Sequence, residues 1–105
     1  MDEREYIIDK VKSYKKLVME NFPVLIEQFW LFGSHAKNNA HKDSDIDVAL
    51  VVNRLNKDYS VLNTEPLLWR LKRQVDFRIE PHVIARDTDY AGFIDEIQKT
   101  GILIN

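Results

Sequence analysis

The sequence predicts an α/β fold, a small mixed β-sheet flanked by helices, in a single domain covering residues 1–105. Three observations predict it. Apolar residues recur at helical spacing near the N-terminus, two short apolar runs rich in aromatic and branched side chains read as strands, and a third segment alternates strictly between polar and apolar residues. No repeat, low-complexity tract or dividing linker interrupts the pattern.

Residues 2–20 are predicted helical. Ile7, Val11, Tyr14 and Val18 form one stripe, Ile8 and Leu17 widen it, and Asp2 is placed to cap the start. Pro23 ends the helix or opens the next segment. Residues 25–32 read as the first strand, ending in Phe29-Trp30-Leu31-Phe32. A short helix is expected from Ser34 to about Asn38, with Asn38-Asn39 breaking it because asparagine tolerates left-handed backbone. The polar loop His41-Lys42-Asp43-Ser44 leads into a second strand, Asp45 to Val52, whose continuous apolar second half requires cover on both faces.

Residues 57–73 are read as a loop followed by a helix carrying Leu67, Leu68 and Leu71, with Pro66 near its start and Asn63 or Thr64 as its cap. The third strand is expected from Val75 to about Ile84, where Asp76, Arg78 and Glu80 alternate with Val75, Phe77 and Ile79. A last helix over roughly Asp89 to Lys99 would turn Phe93, Ile94 and Ile97 inward. Gly101 would follow it as a C′ residue, and Ile102-Leu103-Ile104 would add a short strand.

Composition narrows the function. With 15 basic and 17 acidic side chains the net charge is −2, which argues against a non-specific nucleic-acid binder. The absence of cysteine excludes disulfides and thiolate metal sites. No apolar stretch reaches the length of a membrane span, and the acidic N-terminus lacks the apolar core of a signal peptide, so a cytoplasmic protein is expected. His41 and His82 have no ligand spacing with each other, which argues against zinc.

The chemistry concentrates in Gly33-Ser34, ten residues, then Asp45-Ile46-Asp47. Side chains two apart on a strand share a face, so Asp45 and Asp47 present a pair of carboxylates while Ile46 and Val48 point away. Two close like charges repel unless a cation separates them, and hard oxygen ligands suit Mg²⁺. Gly33 permits close approach of backbone to ligand, and a helix opening at Ser34 would turn free N–H groups toward a phosphate. Asp76 is expected to complete a triad if the second and third strands are neighbours. Three carboxylates and two metal ions would form a clamp for in-line transfer at phosphorus, with Asp76 also able to take the acceptor's proton.

Taken singly, these residues have plainer readings. Gly33-Ser34 fits a capped turn, Asp43 a solvated loop, and Asp76 a salt-bridge partner of Arg73 or Arg78. Arg78 and Glu80 fit a cross-strand ion pair, and Trp30 and Trp69 fit core or interface positions better than adenine platforms. His35 could contact phosphate or a partner.

Gly33-Ser34, Ser44-Asp45-Ile46-Asp47-Val48, Val75-Asp76-Phe77 and the ending Ile94-Asp95-Glu96-Ile97 through Gly101-Ile102 together resemble the minimal nucleotidyltransferases of the DNA polymerase β-like superfamily. The resemblance covers nearly the whole chain and implies a polymerase β palm-like fold. It implies that Gly33 and Ser34 hold nucleotide phosphates and that Asp45, Asp47 and Asp76 bind Mg²⁺, with ATP as the substrate and a hydroxyl as the AMP acceptor. The arginine that often follows Gly-Ser in this group is replaced by His35, with Lys37 two residues on. Asn38-Asn39 stand where a glycine is common.

In the resembling group such minimal proteins are commonly antitoxins paired with a HEPN-type ribonuclease toxin, whose tyrosine they adenylylate, or which they neutralise by complex formation. The resemblance therefore implies a protein partner and a homo- or hetero-oligomer. A subunit of an aminoglycoside-type nucleotidyltransferase is the remaining alternative.

Overall fold

A computed structural model describes residues 2–22, 25–53, 61–88 and 92–105, with the backbone alone described for 61–64. The first helix, α1 (Glu3–Asn21), buries the expected stripe, Ile7, Val11, Tyr14 and Val18. Asp2 caps it by accepting from the Glu5 N–H at 2.8 Å. Two strands follow, β1 (Gln28–Phe32) and β2 (Ile46–Val52). Helix α2 (Val61–Lys72) leads to β3 (Ile79–Ala85), and helix α3 (Phe93–Thr100) leads to the two-residue β4 (Ile102–Leu103).

The strands form one mixed sheet in the order β3-β2-β1-β4. β1 runs antiparallel to β2 and β4, whereas β2 and β3 are parallel, with Ile46 opposite Ile79 and Asp47 opposite Glu80. A parallel pair needs a crossover, which α2 supplies.

Strand alternation divides the sheet into two faces. Phe29, Leu31, Ile46, Val48, Leu50, Val52, Ile79 and Ala85 pack with α1 and α2 in the larger core. Trp30, Ala49, Val51 and Ile84 face the other way and pack against Ile94 and Ile97 of α3. Both faces of β2 are therefore covered, as its apolar run requires. Each fully buried aliphatic side chain contributes about 1.5–3 kcal/mol. Tyr14 adds a long-range tie, its hydroxyl donating to the Leu68 carbonyl at 2.9 Å. Burial pushes this phenol well above its ordinary pKa.

Several elements differ from expectation, each for a local reason. β1 begins at Gln28 rather than residue 25, since Leu25 is exposed and only Ile26 of that approach is buried. β3 begins at Ile79, not Val75. The Gln74, Val75 and Asp76 N–H groups donate back to the Leu71 and Lys72 carbonyls, so the chain is still unwinding from α2. Pro66 sits inside α2, in its second turn, rather than at its start. Asn63 and Thr64, expected as caps, fall within α2, which begins at Val61. The Pro23 break and the helix start at Asp89 lie outside the described residues. In α3, Ile94 and Ile97 are buried, but Phe93 is on the exposed side. Gly101 is the C-cap itself, with extended backbone, and a Cβ there would press on the Ile97 and Leu31 carbonyl oxygens.

Ile46 donates to the Arg78 carbonyl at 2.9 Å. In a parallel ladder that assignment turns the backbone groups of Arg78, Glu80 and His82 toward β2, and those of Ile79, Pro81 and Val83 toward the open edge. Pro81, which has no N–H, therefore occupies an outward-facing position. Among the described residues, no helix is long and apolar enough to cross a membrane.

Candidate active site

The sheet face shared with α3 is apolar at one end and charged at the other. α3 covers Trp30, Ala49, Val51 and Ile84. Toward the start of β2 the same face carries Asp47, and across the parallel register lie Glu80 and His82. Asp45, at the mouth of β2, lies close enough to Glu80 to act on its carboxylate.

The corner after β1 is built around Gly33. Its φ of +76° is a left-handed conformation that favours glycine. Here the missing side chain matters as much, because a Cβ would collide with Asp47 Oδ2. The expected short helix at Ser34 is instead a run of hydrogen-bonded turns. The Lys37 N–H donates to the Gly33 carbonyl at 3.1 Å and the Asn39 N–H to the Ser34 carbonyl at 3.0 Å. Asn38, at φ 61°, reverses the chain as its residue type permits.

The loop that delivers Asp45 is tied on both sides. The His41 N–H donates to Ser44 Oγ at 2.7 Å, and the Ser44 N–H donates to the His41 carbonyl at 3.1 Å. His35 is buried with Nε2 3.3 Å from the Ser44 carbonyl, so its place is inside the loop. Arg78 donates to the Lys42 carbonyl at 2.9 Å from the β3 side. Asp43 stays exposed on this loop.

The carboxylates perturb one another. Glu80 is held above the ordinary carboxylate range, first by the Asp45 carboxylate beside it and then by burial. His82 is raised above the usual histidine value, chiefly by its hydrogen bond to Asp47 at 3.4 Å. Both shifts record excess negative charge. Behind the cluster, Lys72 is buried, donates to the Phe77 carbonyl at 3.0 Å and lies over the Trp69 ring at 3.9 Å. Burial lowers its pKa, against the opposing pull of Glu80 and Asp45.

The structure places Asp76, expected beside Asp45 and Asp47, ahead of β3, where the Arg78 side chain grips both its oxygens, at 3.1 Å to Oδ1 and 2.8 Å to Oδ2. That guanidinium holds Asp76 below the ordinary carboxylate range. The pair lines an open groove with Tyr6 and Lys10 of α1. The carboxylate gathered with Asp45 and Asp47 is Glu80. Arg78 accordingly pairs within its own turn rather than across strands.

Glu80 and His82, which the sequence reading does not place with the aspartates, lie beside Asp47, and the sequence holds a signal for it. They are two apart on a strand, so a parallel neighbour bearing Asp45 and Asp47 would put all four on one face. Trp30 is buried in the smaller core, and Trp69 is partly exposed beneath the Lys72 ammonium.

The donor set fits a divalent cation. Asp47, Glu80 and His82 each offer a ligand atom, all within 4.8 Å of one another. The acidic groups include a carboxylate with raised proton affinity, the electrostatic condition a cation relieves.

The chain has relatives among known nucleotidyltransferases. Residues 9–105 match the family described as "Polymerase beta, Nucleotidyltransferase", and the chain belongs to that family of enzymes. It is 27% identical over 96 residues to the "Putative protein adenylyltransferase" of Methanocaldococcus jannaschii, covering 91% of this chain and 96% of that protein. Among solved structures, a nucleotidyltransferase from Sulfolobus solfataricus superposes with a TM-score of 0.68 at 22% identity, covering 95% of this chain and 80% of that one. A chain of a toxin–antitoxin structure determined with AMP-PNP gives a TM-score of 0.68 at 19% identity, covering 93% and 72%. These two structures share the fold.

Proposed function

We propose that the chain transfers AMP from Mg-ATP to a hydroxyl of a partner protein, the acceptor being a tyrosine of a HEPN-type ribonuclease toxin. The observation that carries this reading is the meeting of Asp45, Asp47 and Glu80 on one sheet face beside the Gly33 corner. The relative above carries the name of a protein adenylyltransferase, and one fold neighbour is a toxin–antitoxin structure determined with AMP-PNP. Both support the choice of nucleotide and acceptor.

In this reading Asp45, Asp47 and Glu80 would hold Mg²⁺, whose charge offsets that of the triphosphate and of the departing pyrophosphate. Gly33 and Ser34 would lie against the phosphates, and the missing side chain at Gly33 leaves Asp47 its place beside them. The acceptor oxygen forms a bond to the α-phosphorus as the bond to pyrophosphate breaks. The hydroxyl proton passes to a carboxylate of the cluster. Orientation and charge complementarity supply most of the acceleration. Asp76, gripped by Arg78, acts here as a brace for the turn that launches β3.

The test is co-purification with the product of the adjacent gene, followed by intact mass with and without Mg-ATP. The expected result is a gain of one AMP per modified hydroxyl, lost in Asp45→Asn and Asp47→Asn. Complex formation with no mass gain would replace transfer by neutralisation through binding. Modification of an aminoglycoside hydroxyl instead would move the acceptor to a small molecule.

A further inference from the structure

His82 has no part in the chemistry proposed above, yet it is aimed at it. Its Nε2 lies 3.4 Å from Asp47 Oδ1, and its ring meets Phe32 edge-on with centroids 5.2 Å apart. Phe32 is in turn set against Phe93 at 5.6 Å, so one side of the imidazole is held by a small aromatic group. The other side, with about a third of the side chain exposed, opens toward Asp47 and Glu80. A separation of 3.4 Å is long for a charge-assisted hydrogen bond. It suits two donors on one ion: ligands at about 2.1 Å from a metal stand roughly 3–3.4 Å apart in octahedral or tetrahedral geometry.

The nitrogen changes which ion is favoured. Mg²⁺ takes oxygen ligands and keeps much of its water. An imidazole among carboxylates favours borderline transition metals, with affinity rising along the first-row series to copper and zinc. We propose that Asp47, Glu80 and His82 form a mixed nitrogen–oxygen site that binds Mn²⁺ or Zn²⁺ in preference to Mg²⁺, with His82 Nε2 as a direct ligand. The proposal deepens the nucleotidyl-transfer reading, because Asp47 and Glu80 belong to both. It makes the identity of the resident ion a property of His82.

The test uses the full chain stripped of metal by a chelator, loaded with Mn²⁺ alone for pulsed EPR, and titrated calorimetrically with Zn²⁺ and with Mg²⁺. The variant is His82→Gln, which keeps a polar side chain of similar length and is checked for folding by its thermal melt. The expected result is a directly coordinated ¹⁴N coupling in the wild type that His82→Gln lacks. Zn²⁺ affinity should fall at least about tenfold in the variant while Mg²⁺ affinity changes less than about threefold.

A ¹⁴N coupling absent from the wild type, or unchanged in His82→Gln, overturns the proposal. So does an equal loss of Zn²⁺ and Mg²⁺ affinity, which would make His82 a prop for Asp47. AMP transfer, measured separately by mass, separates the two readings. His82-dependent metal selectivity without transfer sinks only the enzyme function, and Mg-dependent transfer without a nitrogen ligand sinks only this site.

Discussion

Gly33 and Asp47 are fitted to each other across the antiparallel β1–β2 pair. Asp47 is the register partner of Phe32, and the next residue, Gly33, leaves open the volume that Asp47 Oδ2 occupies. A methyl group cannot enter that space without moving the carboxylate, and the positive φ of +76° adds strain for any other residue.

Gly33→Ala is therefore expected to lower stability by about 1–3 kcal/mol, through backbone strain and displacement of Asp47. Urea denaturation would measure the loss. Calorimetry on the folded variant should show weaker divalent-metal binding than in the wild type. Unchanged metal affinity would mean that Asp47 does not need its present position.

Glu80 and Asp76 should separate cleanly. Glu80→Gln is expected to reduce AMP transfer at least about 100-fold, the scale of losing a group that stabilises charge in the transition state, with little change in the melting temperature. Asp76→Asn should leave transfer within a few-fold and cost about 1–2 kcal/mol, since it weakens the two-pronged bond to Arg78. Paired assays of activity and thermal melting on both variants check this. The reverse pattern would return Asp76 to the catalytic group.

The Asp76–Arg78 pair also fixes a dependence on acid. The folded-state pKa of Asp76 is depressed below its ordinary value of 3.8, so its contribution is fully present above that value and is lost as pH falls through the folded pKa. The stability gap between wild type and Asp76→Asn should thus be constant near neutrality and close below about pH 4. Chemical denaturation of both proteins across that range would reveal it. A gap that persists in strong acid would assign the effect to packing.

Tyr14→Phe removes the only atom that donates from Tyr14 to the Leu68 carbonyl, while the ring keeps its edge contact with Phe29 at 6.0 Å. The expected cost is about 0.5–1.5 kcal/mol, the net worth of one hydrogen bond, because the Leu68 carbonyl keeps its place in the α2 ladder. It should show as a lower denaturation midpoint with an unchanged slope.

The sequence made some of this legible and hid the rest for physical reasons. Asp45 and Asp47 share a face because strand alternation is local, and so does the α1 stripe. The choice between Asp76 and Glu80 is not local. Val75, Asp76, Phe77 and Arg78 alternate as a strand would, yet Phe77 is 78% exposed and the chain there is still bonded back to the end of α2. Where β3 starts is decided by that turn, by Lys72 reaching Phe77, and by the grip of Arg78 on Asp76. His82 joins Asp47 only through the β2–β3 register, a pairing between residues 35 positions apart in sequence. Ser34 resembles a cap and so suggests a helix after Gly33, whereas Asn38 closes the turns there within one reversal.

Pro81 has a consequence for assembly. A strand approaching the outer margin of β3 would find, midway along it, a ring where an amide hydrogen should be, and its own carbonyl there would be left without a donor. That margin is thereby guarded against fibre-like stacking of copies. An associating protein must grip side chains, or use the opposite border of the sheet beyond β4.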